Sequence, residues 1–345
     1  MKNKMKKNSN TFSELRRDLV SGTWVAFSTK RRARPDFHKA TPRVSDNYDN
    51  PKDCLFCREN FDKQKQEKDT LMYLNKNGDW TIRVFPNKFP IFSSTISGLN
   101  RRDEGPFEIM DGVGYHEVLV AADHRKNFPD LEIPQIVEVF DAYQERYLAL
   151  MNKRNVKYIS IFKNYGSTAG ASIVHPHNQI VAMPIIDPDV ARSLDGSARY
   201  FQAHKECVHC VMLKWEIEKG ERIIFENEDF VVLCPFVSRV SFEIRIYPKK
   251  HLSYFERITK NQKIKLSEAV RAALRKVKYN LDDPDYNMFL HTAPCDGQTY
   301  DHYHWHFEIF PKTNIWAGLE LSTGIEVCSI LPEEAAKILK KKSKN

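Results

Sequence analysis

Val174-His175-Pro176-His177-Asn178-Gln179-Ile180-Val181 is the stretch on which the reading of this chain turns. Side chains of an extended segment alternate between two faces, so His175, His177 and Gln179 fall on one side if the stretch is a strand. Two imidazoles and an amide then converge on one site. An imidazole can bind a metal, shuttle a proton or attack an electrophile, and each role needs a neighbour that fixes its tautomer. One such stretch would say little, but the pattern returns near the C-terminus as His302-Tyr303-His304-Trp305-His306-Phe307-Glu308.

Working outward, the two stretches close two similar runs of elements. The first run holds Cys54-Leu55-Phe56-Cys57 and a strand at Trp80–Pro86. A second strand at Tyr115–Val120 follows, then an amphipathic helix over 134–151 started by Pro134. Ile136, Phe140, Tyr143, Tyr147 and Leu150 line its apolar side. A strand at Tyr158–Phe162 and the small-residue loop Asn164–Ser172 then deliver the chain to His175. The second run holds Cys207-Val208-His209-Cys210 and strands at 230–235 and 242–247. A helix with Ile264, Val270, Leu274 and Val277 on one side comes next, then a strand around Met288–Leu290. This order predicts an α+β fold of two tandem units with antiparallel sheets flanked by helices. The units are expected at 11–190 and 191–345, joined near 186–200, with residues 1–10 a disordered basic tail. Gly22–Ser28 reads as a further strand entered through a glycine turn. Arg31, Arg32 and Arg34 after it could face phosphate or solvent.

With 345 residues, 41% hydrophobic and 12% aromatic, the chain has the composition of a globular protein. No apolar run is long enough to span a bilayer, and the basic N-terminus has no apolar segment behind it, so a soluble cytoplasmic protein is expected. The net charge of +8 is matched by four lysines at each end of the chain (Lys2, Lys4, Lys6 and Lys7; Lys340, Lys341, Lys342 and Lys344). The remainder is near neutral, which speaks against a nucleic-acid partner. A non-catalytic double-zinc module binding nucleic acid would instead need basic, aromatic surface around the metals.

The seven cysteines are odd in number and lack an export signal, which argues against a disulfide framework. Four of them form two Cys-x-x-Cys pairs, which signify a metal site or a redox dithiol. No thioredoxin-like βαβ context surrounds either pair. The repeated order predicts the partners: Cys54 and Cys57 with His124 and His175, and Cys207 and Cys210 with His251 and His304. Two thiolates and two imidazoles make a closed structural zinc site that holds loops together and leaves no position for water. His116 rivals His124, and His209 and His302 are rivals in the second set. His177 and His306 remain free in each unit. A neutral imidazole with its far nitrogen tied to a carbonyl is a competent nucleophile toward phosphorus. The glycine- and serine-bearing loop before His177 can hold a phosphate on backbone amides and hydroxyls.

At these residues the chain resembles the galactose-1-phosphate uridylyltransferase family of the histidine-triad superfamily. The likeness runs from Glu14-Leu15-Arg16-Arg17-Asp18 and Gly22–Val25, through Arg83-Val84-Phe85-Pro86-Asn87-Lys88-Phe89-Pro90, to His175-Pro176-His177-Asn178-Gln179. It implies two tandem histidine-triad-like units and a ping-pong nucleotidyl transfer on nucleotide sugars of the UDP-glucose:hexose-1-phosphate type. His177 is then the nucleophile and Gln179 the hydrogen-bond partner of the transferred phosphoryl group. Asn87 and Phe89 would line the nucleotide pocket; Asn164 with Gly170, Ala171 and Ser172 would support nucleotide and phosphates. The implied first zinc set contains His124 in place of His116. Glu320 matches a sugar-binding glutamate, whereas Leu319 and Asn314 replace a tyrosine and a lysine of bacterial uridylyltransferases. The run Gly318–Gly324 and the intact second cysteine pair look more like relatives that act as ADP-glucose phosphorylases, with inorganic phosphate as acceptor. A homodimer is what the resemblance implies for assembly.

Overall fold

The computed structural model describes residues 13–33, 50–61, 69–94 and 98–341. The basic stretch 1–10, Arg34, Lys342 and Lys344 lie outside the described residues. The strands are β1 (Ser13–Arg17), β2 (Trp24–Ser28), β3 (Leu71–Leu74), β4 (Trp80–Pro86), β5 (Arg101–Glu104), β6 (Phe107–Met110), β7 (Tyr115–Ala121), β8 (Tyr158–Tyr165), β9 (His177–Met183), β10 (Ile223–Glu226), β11 (Phe230–Leu233), β12 (Ile244–Pro248), β13 (Tyr286–His291), β14 (His306–Pro311) and β15 (Val327–Cys328). The α-helices are α1 (Arg58–Phe61), α2 (Ile133–Met151), α3 (Pro188–His204), α4 (Val208–Lys219), α5 (Lys260–Asn280), α6 (Gly318–Thr323) and α7 (Pro332–Leu339).

Ten strands form one antiparallel sheet in the order β10-β11-β12-β14-β13-β8-β9-β7-β4-β3. From the central β13–β8 pair outward, each half repeats one order: β8-β9-β7-β4-β3 on one side and β13-β14-β12-β11-β10 on the other. The duplicated units therefore share one continuous sheet, because β8 and β13 would otherwise each present an unpaired edge. The pairing is in register from Tyr286 opposite Tyr165 to Leu290 opposite Ile161.

The two long helices start alike. Glu132 donates its backbone N–H to the Gln135 side chain at 3.0 Å, and Thr259 does the same to Gln262 at 3.0 Å. Both lay their apolar faces on the same side of the sheet. Ile136, Phe140, Tyr143, Tyr147 and Leu150 of α2 join Leu266, Val270, Leu274 and Val277 of α5 in one core. Ile264 is exposed, so it does not belong to the buried side of α5. On the opposite side of the sheet, the Cys54–Cys57 turn packs with Trp80, Phe85, Val118 and Val120 in a smaller apolar cluster.

The segment 186–200 is largely helical, forming most of α3; its apolar residues are too sparse to betray a helix. Asp187 caps it by accepting from the Asp189 and Val190 amides at 2.9 and 3.1 Å. Gly196 lies against Val20, and a Cβ there would meet the Val20 carbonyl oxygen at 1.7 Å. Strands β1 and β2 pack with β15, the β2–β15 pairing being parallel. Arg16 reaches Glu333 on α7 at 3.1 Å, and Arg222 bonds the same carboxylate, so the first described strands lie on the C-terminal half.

Candidate active site

Cys54 and Cys57 lie in the turn before α1, His124 follows β7, and His175 sits in the bend before β9. Their donor atoms all fall within 4.8 Å of one another. Cys57 Sγ is 3.1 Å from His124 Nδ1 and 3.6 Å from His175 Nδ1, which is also 3.6 Å from Cys54 Sγ. His175 donates its Nε2–H to the Ala121 carbonyl at 2.7 Å, which leaves Nδ1 as the lone-pair nitrogen facing the thiols. The second set repeats this plan. Cys210 Sγ lies 3.3 Å from His251 Nδ1 and 3.5 Å from His304 Nδ1. The far nitrogens donate to the Asp301 and Pro248 carbonyls at 2.8 and 2.9 Å. Cys207 completes the group. Each donor set has the composition that a divalent cation in a closed site requires, and His175, His251 and His304 have the fitting tautomer.

The rivals fall elsewhere. His302 packs its ring beside Phe201 and Tyr300. His209 is buried with Nε2 3.4 Å from Ser197 Oγ. His116 accepts the Ile91 N–H on Nδ1 at 3.2 Å, so its Nε2 carries the proton and donates to Gln179 Oε1 at 2.7 Å. Gln179 consequently keeps its amide N–H groups for another partner. The sequence alone offered His116 as a metal ligand, and nothing in its local pattern reveals this orienting contact.

His175 does not share a strand face with His177 and Gln179, contrary to what the alternating pattern predicts. Strand β9 begins at His177, so His175 lies ahead of it and is placed by the metal-type cluster instead of by strand alternation. His177 and Gln179 do share a face, while Ile180 and Ala182 enter the helix-side core. His177 is 7% exposed and donates Nδ1–H to the His175 carbonyl at 3.0 Å. Its Nε2 is left with a free lone pair, and no hydrogen bond engages it among the described residues. Burial pushes the imidazole down to about 4, partly opposed by that hydrogen bond, so the ring is neutral near pH 7. Phe56 meets the ring edge-on at 5.4 Å. Beneath, Lys163 is buried with Nζ 3.2 Å from the His177 carbonyl oxygen, and burial lowers it to about 7.

Asn87, Phe89, Asn164 and Gly170–Ser172 lie on segments that adjoin the His177 strand or lead into it, and Glu320 lies apart. Asn87 follows β4, donates its N–H to the His116 carbonyl at 2.7 Å, and holds the Phe89 N–H at 2.9 Å. Phe89 is 80% exposed. Phe162 pairs with Gln179, which brings Asn164 level with His177 on the neighbouring strand. Gly170, in the left-handed region at φ 89°, Ala171 and Ser172 lead from the short helical turn Ser167–Ala169 toward His175. Glu320 is not joined to this group by any hydrogen bond among the described residues. It caps its own helix by accepting the Ala317 N–H at 3.0 Å.

The second unit's equivalent site is filled. His306 donates Nδ1–H to the His304 carbonyl at 3.1 Å, but its Nε2 is 3.3 Å from Glu308, which stands where Gln179 stands in the first unit. Arg245, Tyr247 and His209 replace Val118, Val120 and Phe56 around it. The remaining cavity of about 80 Å³ is lined by His209, Arg239, Arg245, His291, His306 and Glu308. Glu308 pairs with Arg245 at 3.0 Å, and Arg239 pairs with Asp189 and Glu326 at 3.0 and 2.9 Å.

Two domain models for galactose-1-phosphate uridyl transferase match the chain, the N-terminal domain at residues 3–187 and the C-terminal domain at 193–342. The chain belongs to the galactose-1-phosphate uridylyltransferase family. This is a family of enzymes. The ADP-glucose phosphorylase of Arabidopsis thaliana is 31% identical over 341 residues, covering 97% of this chain and 94% of that one. A galactose-1-phosphate uridylyltransferase of Thermotoga maritima is 30% identical over 271 residues, covering 76% of this chain and 85% of the other. Among solved structures, the Arabidopsis ADP-glucose phosphorylase with bound ADP-glucose superposes with a TM-score of 0.81 at 28% identity, over 96% of this chain and all of that one. A uridylyltransferase structure gives 0.73 at 26% identity, over 95% and 97%. The uridylyltransferase-family fold is thus mixed α+β with antiparallel sheets and helices, and no described helix is long and apolar enough to cross a membrane.

Proposed function

We propose that the chain transfers a nucleotidyl group from a nucleotide sugar to a hexose 1-phosphate, through a covalent intermediate on His177. One observation carries this reading: the buried, neutral His177 ring is locked by its Nδ1–H bond to the His175 carbonyl, with its Nε2 lone pair free. Nε2 attacks the α-phosphorus; an N–P bond forms as the bond to the bridging oxygen breaks, and sugar 1-phosphate leaves with the electron pair. A phosphate oxygen of the acceptor then attacks the same phosphorus and returns the lone pair to Nε2. Gln179, its carbonyl taken by His116, directs N–H groups to the transferred phosphoryl oxygens, where charge accumulates. Asn87, Phe89, Asn164, Gly170, Ala171 and Ser172 form the nucleotide and phosphate pocket in this reading.

Mass spectrometry of the protein mixed with UDP-glucose or ADP-glucose tests it. One nucleoside monophosphate adduct per chain, on His177 and not on His306, is expected; an adduct elsewhere, or none with either sugar nucleotide, removes the proposal. A second reading takes inorganic phosphate as acceptor and releases a nucleoside diphosphate. The near full-length likeness to an ADP-glucose phosphorylase and the assembled second Cys-x-x-Cys set favour it. Offering phosphate or galactose 1-phosphate to the loaded enzyme separates the two.

The metal in this reading is zinc, held by Cys54, Cys57, His124 and His175 and by Cys207, Cys210, His251 and His304 in two histidine-triad-like units divided near 190/191. Bound there, it supplies cross-links between loops and no open coordination position. The His175 ligand precedes His177 by two residues, so loss of this metal releases the nucleophile's own anchor. Cys54→Ser is expected to lower zinc from two to one per chain by atomic emission, with activity falling as a consequence; unchanged metal content would contradict the assignment. A reducing, cytoplasmic setting belongs to the same proposal, because four of the cysteines are needed there as metal-bound thiolates. Exposed Phe89 and Ile91 beside Asn87, and exposed Ile315, Leu319 and Leu321 beside Glu320, support a homodimer that covers them. Sedimentation showing only monomer at micromolar concentration would set that aside. The sugar-contacting role of Glu320 belongs to the same proposal.

A further inference from the structure

Beside His306 the second half holds a charge-lined cavity of about 80 Å³, and elsewhere two of its side chains reach into the loop that the first half uses. We infer that Asn287 and Asp285, at the start of β13, are positioning residues for the phosphates of the nucleotide sugar. The inference rests on the proposed reading of Asn164 and 166–172 as the phosphate-binding segment.

Asn287 lies directly opposite Asn164 in the β13–β8 pair that joins the halves. Its Nδ2 donates to the Ala169 carbonyl at 2.8 Å and to Asn164 Oδ1 at 2.8 Å. A backbone carbonyl can only accept, so the Asn287 amide has one orientation. Asn164 must then turn its oxygen toward Asn287, which leaves its own N–H groups for the site side. Asn287 thereby makes Asn164 a donor toward anionic oxygens. Asp285, two residues earlier on the same face, accepts both the Thr168 N–H at 2.8 Å and the Thr168 hydroxyl at 2.7 Å. Gly166 makes this approach possible. It has φ 85°, and a Cβ there would meet the Asp285 carboxylate at 1.8 Å. The turn from Gly166 to Gly170 is therefore pinned at Thr168 and Ala169 by the neighbouring half, with its following amides held in place. The division of labour follows: one half supplies the reacting imidazole, and the other holds the loop that receives phosphate.

Asn287→Asp tests the inference, because it keeps size and reverses polarity. It puts an acceptor against the Ala169 carbonyl and lets Asn164 present its oxygen to the phosphates. We expect kcat/KM for UDP-glucose or ADP-glucose to fall roughly ten- to a hundredfold, since a polar partner is left unmatched. Metal content should stay unchanged and the protein should fold, with a modest drop in melting temperature from the acceptor set against the Ala169 carbonyl. Competition by UMP or AMP should weaken in parallel, while competition by uridine or adenosine, which lack phosphate, should not. Asp285→Ala should show the same signature more weakly, and Asp285→Asn, which retains an accepting oxygen for Thr168, should restore wild-type behaviour. The Asp285 pair decides the matter if Asn287→Asp does not fold. Wild-type kinetics in Asn287→Asp or Asp285→Ala overturn the inference, as does equal weakening of nucleoside and nucleotide. Failure of the unaltered protein to form a nucleotidyl adduct overturns the underlying reading instead, and this inference with it.

Discussion

Replacing His177 by asparagine is expected to abolish adduct formation and turnover, by about 10⁴-fold or more, as loss of a covalent nucleophile does. The folded state should survive the change. An asparagine amide can still donate to the His175 carbonyl, and the ring's remaining neighbour on that side is the edge-on Phe56. Stability should therefore change by about 1 kcal/mol or less, and both metals should be retained, since neither donor set includes His177. Rapid-quench measurement of the first half-reaction, alongside thermal melting, checks both parts. Substantial residual transfer in a well-folded His177→Asn protein would move the chemistry to another group.

The largest stability effect is expected in the other half, at Arg245. Its guanidinium Nε lies 2.8 Å from Glu243 and 3.0 Å from Glu308, and all three side chains are buried. Burial pushes the Glu243 carboxyl up to about 7 even with Arg245 beside it. Against the upward push of burial, Arg245 and His291 hold Glu308 well below the usual carboxylate range. Arg245→Met preserves the aliphatic stem but strands two carboxyl groups in a low-dielectric setting, so it should destabilise the protein by about 3–5 kcal/mol. Converting all three residues together to apolar ones of similar volume should recover much of this, because the buried ions themselves are expensive to desolvate. Urea denaturation of the single and triple variants is the measurement. A loss below about 1 kcal/mol in Arg245→Met would show that the carboxylates find water or other partners.

The long helices were readable because their apolar spacing and capping residues are local: Pro134 and the positions from Ile136 to Leu150 signal α2 without any tertiary contact. The metal-type clusters were readable because the chain carries the same cysteine–histidine order twice. Other features had no local signal. Helix α3 has few apolar residues, being held by the Asp187 cap and the contact of Gly196 with Val20. Ile264 has the spacing of a core residue but lies at the rim of α5. His116 looks like any other candidate ligand until Ile91 and Gln179 are placed beside it.

Sequence by itself pointed to a repeated α+β order, to two Cys-x-x-Cys turns with a short roll of candidate imidazoles for each, and to His177 as a ring beyond the first set. These are properties of residue type and order, and the order alone expresses them. Tertiary structure alone decided that the copies share a sheet through β8 and β13, and that Arg245 and Glu308 close the second copy's pocket. It also decided that Asn287 reaches the first copy's loop. The reason is physical: a hydrogen bond or ion pair between residues far apart in the chain depends on strand order and register, which the β12–β14 pairing sets for Arg245 with Glu308 and the central seam sets for Asn287 with Asn164.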